Sequence, residues 1–107
     1  MSAPGGRPRR PAAREMLIAA LAARAGPAAQ VRALPSQSWA SATFAGERHR
    51  LEIGLPDAGA ADVFQAGLAD AEFSLRGHLL ADIAIAGRRA VPAGLLIEVE
   101  ALTIEES

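Results

Sequence analysis

Two stretches of the chain repeat apolar residues at the three- and four-residue spacing of an amphipathic helix. The first helix is predicted over about Ala12 to Ala25, because Pro11 suits a helix start and Gly26-Pro27 ends a helix. Its apolar stripe consists of Met16, Leu17, Ala20 and Leu21. We expect this stripe to face a sheet and to form part of the core.

The second helix is predicted to begin after Pro56, with Asp57 as its N-cap. It repeats the apolar spacing of the first helix, and its stripe consists of Val63, Phe64, Gly67, Leu68 and Ala71. Large apolar residues at this spacing belong to a core far more often than to a cofactor site.

Alternating apolar and polar residues predict four strands. They span about Gln37 to Ala45, Arg48 to Leu55, His78 to Gly87 and Leu95 to Ile104. The first two strands are expected to form a hairpin around Ala45-Gly46-Glu47, because glycine accepts a positive φ angle. The last two strands are expected to be joined through Pro92 and Gly94.

The same alternation assigns strand residues to two faces of the sheet. The helix-covered face is expected to carry Ala40, Ala42, Phe44, Leu51, Ile53, Leu55, Leu79, Ala81, Ile83, Ile85, Leu95, Ile97, Val99 and Ala101. The opposite face is expected to carry Trp39, Ser41, Thr43, Arg50, Glu52, His78, Leu80, Asp82, Ala84, Leu96, Glu98 and Glu100. It is mostly polar and can therefore face water.

The element order α-β-β-α-β-β predicts an α+β two-layer sandwich, with two helices on one face of a four-stranded antiparallel sheet. Moving the first strand of a ferredoxin-like βαββαβ fold to the end produces the same order, an analogy of architecture alone. The two halves also match locally: Leu51-Glu52-Ile53 resembles Ile97-Glu98-Val99, and Phe44 to Arg48 resembles Ile85 to Arg89. Two interpretations stay open, an internal duplication or the general similarity of amphipathic helices and hairpins.

Composition predicts one modest domain with a thin core. Half of the 107 residues are hydrophobic, but many are alanine, and the chain has only three Phe and one Trp. The absence of Cys excludes disulfides and zinc–thiolate sites, and the absence of Lys excludes a lysine-containing phosphate-binding loop. Abundant Arg, Ala, Gly and Pro are typical of a GC-rich bacterial genome. The longest apolar run has roughly eight residues, so we expect no membrane span and a cytoplasmic protein.

Charge is divided unevenly along the chain. Residues 1–53 contain eight Arg and three Glu, whereas residues 54–107 contain three Arg and nine acidic residues. These halves carry opposite formal charges although the net charge is −1. In a compact fold such opposite charges can face each other, and in an oligomer they can steer a head-to-tail encounter; a homo-oligomer is expected, which these charges support without requiring it.

Residues 1–11 are predicted to form a disordered tail rich in Arg, Pro and Gly, followed by a single α+β domain over residues 12–107. Three interpretations of the tail remain open. It is a solvated extension, with Met16 as an alternative start; a basic arm for nucleic acid; or the beginning of a signal peptide whose apolar region is Met16 to Ala23.

Candidate chemistry is sparse. His49 and His78 are expected on opposite faces, and two separate histidines do not define a metal site. Carboxylates on the uncovered face are more simply explained as a solvated surface that Arg50 partly neutralises. We therefore predict no catalytic residues, metal or cofactor, and no enzyme activity.

These observations favour a small non-catalytic binding or assembly module that self-associates through its open sheet face or a strand edge. The predicted contact residues are Trp39, Leu80, Arg50, Glu52, Asp82, Glu98 and Glu100. One alternative is nucleic-acid binding through the Arg-rich tail and the first hairpin, which the acidic second half disfavours. Another is a small enzyme with an acidic site on the open face. The identity of a further protein partner is not predicted.

Overall fold

The computed structural model describes residues 12–106, so the predicted tail over residues 1–11 lies outside the described part. Over these described residues the fold belongs to the predicted α+β class, with two helices and a five-stranded antiparallel sheet. In chain order the elements are α1 (Ala13–Ala25), β1 (Gln30–Ala33), β2 (Gln37–Ala40), β3 (Ala45–Leu55), α2 (Ala58–Ala69), β4 (His78–Val91) and β5 (Gly94–Glu105).

Helix α1 matches its predicted span to within one residue. At its start the Glu15 carboxylate accepts a hydrogen bond from the Ala12 N–H at 3.1 Å, which satisfies one free backbone donor. It ends at Gly26, whose φ of 92° is a conformation that favours glycine. The helix buries Ala13, Leu17 and Leu21, which are four residues apart and therefore lie on one face.

Helix α2 begins as predicted, because the Asp57 carboxylate accepts a hydrogen bond from the Ala60 N–H at 2.8 Å. Its buried residues are Ala61, Phe64 and Leu68. Val63 was expected in this stripe, but its side chain is 75% exposed. The prediction is wrong at this position because the helix is rotated so that Ala61, rather than Val63, faces the sheet.

The sheet has the strand order β1-β3-β5-β4, and β2 also pairs with β3. β1 pairs with the C-terminal half of β3 and β2 with its N-terminal half, so these two short strands share one edge of the sheet. Pro35 lies between them and has no N–H to donate, which interrupts the edge. The four-stranded prediction is therefore wrong in its count, because it left out β1.

Gly46 lies inside β3, opposite Trp39 and Ile104, and not in a turn. The hairpin predicted at Ala45-Gly46-Glu47 is wrong; the chain reverses over residues 41–44, where the Ser41 N–H donates to the Phe44 carbonyl at 2.7 Å. Glycine is required at position 46 for a different reason. A Cβ there would lie 1.9 Å from the Thr103 carbonyl oxygen.

Strand β4 changes its facing twice, because its register with β5 shifts between Leu80 and Asp82 and again between Ile85 and Gly87. Each shift is a bulge that inserts one extra residue and reverses the alternation. Leu80 therefore packs against the core, whereas Leu79 is 53% exposed. The predicted facings of Leu79, Leu80 and His78 are wrong for this reason.

The core lies between the helices and one face of the sheet. Its central residues, all at most 1% exposed, are Leu17, Leu21, Leu51, Ile53, Ile97 and Val99. Leu55 and Ala101 are also buried, and Ile83, Ile85 and Leu95 pack against this cluster, as predicted. Three predicted core residues of the first hairpin, Ala40, Ala42 and Phe44, are exposed because they lie at the hairpin end, beyond the helices.

The segments of the two local matches between the halves lie at different places in the sheet. Glu52 pairs directly with Glu98, so the matching segments around them face each other at the centre of the β3–β5 pair. The glycines of the second match both lie inside strands, Gly46 in β3 and Gly87 in β4. The duplication stays a prediction.

Candidate interaction surface

The sheet face opposite the helices is crossed by rows of residues that are paired in register. We call this face the open face, because neither described helix packs on it. Each row is written in the order of the strands across the sheet, from the β1/β2 edge through β3 and β5 to β4. The rows are Trp39-Gly46-Ile104-Leu79, Gln37-Arg48-Leu102-Asp82, Arg50-Glu100-Ala84, Arg32-Glu52-Glu98-Gly87 and Gln30-Gly54-Leu96-Arg89.

One end of the open face is apolar. We call its first row the apolar row; it contains Trp39, Ile104 and Leu79, and Phe44 lies at the same end, in the loop before β3. Phe44 is 55% exposed and Leu79 53% exposed. A cavity at this end is lined by Phe44, Leu79 and Ile104 together. Large apolar side chains that share one exposed patch indicate a contact surface.

Trp39 is half-buried because its ring covers Gly46. The indole Cζ2 atom lies 2.9 Å from the position that a Cβ of residue 46 would occupy. An aromatic residue opposite a strand glycine replaces packing that the glycine lacks. The indole N–H is buried and has no hydrogen-bond partner among the described residues. Trp39 is not part of the helix-covered core, and its register places it on the open face as predicted.

The opposite end of the open face carries an ion-pair network. The Arg32 guanidinium group donates two hydrogen bonds, from Nε and Nη2, to the same carboxylate oxygen of Glu52, Oε1. Arg89 lies 3.9 Å from Glu52 and 3.7 Å from Glu98, and Arg50 lies 3.6 Å from Glu98. The Glu52 side chain is only 11% exposed beneath these arginines, so its charge is compensated locally.

Between the two ends lies a cavity of about 380 Å³ whose walls include Arg48, Arg50, Asp82 and Glu100. Asp82 and Glu100 form no ion pair with the described residues. The four predicted carboxylates are thus divided: Glu52 and Glu98 bind arginines, whereas Asp82 and Glu100 face solvent. Across all five rows, four arginines face four carboxylates, so the formal charge of the open face cancels.

Six of the seven predicted contact residues lie on this face. The exception is Leu80, whose place on the open face is taken by its neighbour Leu79 because of the bulge at Ala81. The sequence interpretation missed Phe44, Ile104, Arg32 and Arg89 as surface residues. Extending the alternation of β5 by four residues would have found Ile104, but the two arginines become neighbours of Glu52 only through strand pairing.

The histidine side chains lie on the other face of the sheet. His49 is 2% exposed, and its Nε2 lies 2.9 Å from the Thr103 hydroxyl oxygen, itself buried. Burial lowers the pKa of His49 below 6.5; Glu47 raises this pKa, and His78 and Arg14 lower it. The bulge in β4 brings His78 to the same face as His49, contrary to prediction.

Neither histidine belongs to a metal-binding cluster in the described part of the chain. Within residues 12–106 there is no group of three or more His, Asp or Glu side chains that could hold a metal ion. Neither helix in this range is long and apolar enough to cross a membrane. Comparison of the chain with family models, curated proteins and solved structures finds no match.

Proposed function

We propose that this protein is a small non-catalytic assembly module that self-associates through its open face. The observation that carries the proposal is the exposed apolar end, where Phe44 and Leu79 are more than half exposed beside Trp39. A monomer would leave this apolar area in contact with water. A second copy would cover it without burying a net charge, because the arginines and carboxylates of the open face are equal in number.

The strand edges are less suited to association than the face. Edge strand β4 contains two bulges, and the opposite edge is interrupted between β1 and β2. Bulges and interruptions of this kind prevent another strand from pairing along an edge. We therefore choose the face over the edge, two alternatives that the sequence left open.

The size of the open face is sufficient for a specific but weak contact. Four strand positions and five rows span about 19 Å by 34 Å, so complete coverage would bury roughly 600 Å² per copy. Both copies together would bury roughly 1,200 Å², which is the lower limit for a specific protein–protein interface. We accordingly expect a dimer that dissociates on dilution.

Nucleic-acid binding is less well supported. Arg48 and Arg50, the two arginines of the first hairpin, share their cavity with Asp82 and Glu100. These carboxylates would repel a phosphate backbone. An acidic enzyme site is also less well supported, because Glu52 and Glu98 are already engaged by arginines.

We also retain the permuted ferredoxin-like architecture as a proposal. In its favour, both helices contact the same sheet and the two hairpins meet at the central β3–β5 pair. The divided β1/β2 edge departs from the four-stranded arrangement. Because fold analogy carries no chemistry, the self-association proposal does not depend on this likeness.

Light scattering coupled to size-exclusion chromatography tests the proposed function. We expect the wild-type mass to approach that of a dimer as concentration rises, and Leu79→Ser and Trp39→Ala to shift it toward the monomer. Val63→Ser on α2 is the matched control, because Val63 is 75% exposed on a helix. A wild-type chain that is folded by circular dichroism but stays monomeric at every concentration would refute the proposal.

A further inference from the structure

The positions of apolar and charged residues on the open face together indicate how two copies would be arranged. This inference rests on the proposed function. We propose that the two copies pack with their open faces against each other. They are related by a two-fold axis that lies between the two sheets, runs parallel to the strands and passes over the gap between β3 and β5. Such an axis places β3 of one copy over β5 of the other, and the β1/β2 edge over β4, while each row meets the same row of the partner copy.

The central row is the strongest argument for this axis. Arg50 in β3 is paired in register with Glu100 in β5. Under the proposed axis, Arg50 of each copy faces Glu100 of the other, which gives two symmetric pairs of opposite charge. Glu100 has no ion pair with the described residues of its own chain, so it is available for such a contact.

The neighbouring rows are also compatible with this arrangement. The apolar row meets itself, so that Trp39 faces Leu79 of the second copy and the exposed apolar area of both copies is covered. In the next row Gln37 faces Asp82 of the second copy, a pairing of an amide donor with a carboxylate acceptor. Twisted sheets that pack face to face keep their strands within about 30° of each other, which preserves these pairings near the axis.

The row of Glu52 and Glu98 is the least favourable, because two glutamates face each other there. Their charge is compensated within each copy by Arg32 and Arg89, which are not needed for the central pairs. This row therefore limits the affinity, and it is the one row that favours the perpendicular axis, under which Glu52 would face Arg48 of the second copy.

A two-fold axis perpendicular to the strands gives a poorer match. Centred on the same row, it would place Arg50 against Arg50 and Glu100 against Glu100 of the second copy. It would also place Leu79 against Arg89, since the first and last rows would meet. Like charges at the centre of an interface oppose association. Only the axis parallel to the strands lets the apolar row of each copy cover that of the other while opposite charges meet at the centre, so we choose this axis.

Single cysteines can test the direction of the axis directly, because the natural chain has no Cys. Gln37→Cys and Asp82→Cys are made as separate variants; both positions are exposed and neither belongs to the apolar row. Equal amounts are mixed and treated with a short bismaleimide, since packed sheets lie about 10 Å apart, too far for a disulfide. We expect a covalent dimer from the mixture at least tenfold more abundant than from either variant alone.

Two matched mixtures serve as controls for this experiment. Gln30→Cys with Asp82→Cys should give little product, because Gln30 lies three rows from Asp82 along the strands. Gln37→Cys with Arg32→Cys should give product only under the perpendicular axis. Preferential linking of positions 37 and 32, or no linking of 37 to 82, overturns the proposed axis.

Light scattering of the same samples separates the two proposals. If the wild type is a monomer, the proposed function fails; if it is a dimer with the wrong cross-links, only the axis fails. Charge reversal gives a second measurement. Glu100→Arg should weaken self-association at least tenfold, and mixing it with Arg50→Glu should restore dimers. Unchanged association of Glu100→Arg alone contradicts the proposed axis, because the perpendicular axis merely exchanges one like-charge contact for another.

Discussion

The helix-covered face and the open face belong to the same strands but have different physical roles. On the covered face, Ile53 and Val99 are fully buried beneath the helices. One residue further along the chain on each strand, Gly54 and Glu100 belong to the open face, where charge is balanced and the apolar residues collect at one end. We infer that the first face supplies most of the stability of the monomer, whereas the second is free to serve association.

The largest expected difference between the faces is the cost of truncating an apolar side chain. Ile53→Ala should lower the free energy of unfolding by about 2–5 kcal/mol, because it leaves a cavity beside fully buried neighbours. Leu79→Ala should change the stability of the monomer by no more than about 0.5 kcal/mol. Urea unfolding at low protein concentration measures both, and similar losses for the two variants would contradict the distinction between the faces.

The next effect concerns Gly46, which lies in the first row of the open face. Gly46→Ala should destabilise the fold by about 1–3 kcal/mol, because its Cβ would collide with the Thr103 carbonyl and with the Trp39 ring. Gly67→Ala in α2 is the matched control; it meets no atom within 4 Å and should stabilise the helix by about 0.5–1 kcal/mol. Thermal unfolding gives both changes. A neutral Gly46→Ala variant would show that the close approach of β3 and β5 is not required.

The third effect is the pH dependence of stability that arises from protonation of His49 on the covered face. Because burial lowers the pKa of His49, the folded protein binds this proton less readily than the unfolded chain does. The fold should therefore lose stability as pH falls below the unfolded-state value of 6.5, and this penalty is absent at higher pH. Urea unfolding between about pH 7.5 and 5.5 measures the effect.

A His49→Gln variant should show a weaker loss of stability over that pH range, since it removes the titrating ring. His78→Gln is the control, because it keeps the His49 ring and its burial, and removes only a smaller cause of the lowered pKa of His49. An equal pH dependence in wild type and His49→Gln would assign the effect to other groups. Substitutions on the open face should leave this dependence unchanged.

Much of the covered face was predictable because its elements are regular. The helix spacing located α1 and α2, and the alternation of β3 and β5 identified Leu51, Ile53, Ile97 and Val99 as core residues. Asp57 and Gly26 were recognisable as helix ends because their local chemistry suits those positions. These features depend on residues close together in the chain.

The open face was predicted less completely because it depends on register. Either leucine of the Leu79-Leu80 pair could face the core, and only the bulge at Ala81 determines that Leu80 does. β1 has just four residues, too few for a clear alternation, and its Arg32 reaches Glu52 only after pairing with β3. Gly46 resembled a turn residue, although its role is to permit close contact between strands.

The sequence by itself thus determined the α+β class, the two helices and the facing of the central strands, because hydrophobic periodicity follows directly from backbone geometry. Only the tertiary structure decided the divided edge, the bulges of β4 and the residues that meet on the open face. One inserted residue in a strand reverses every side chain that follows, and its position is set by the partner strand.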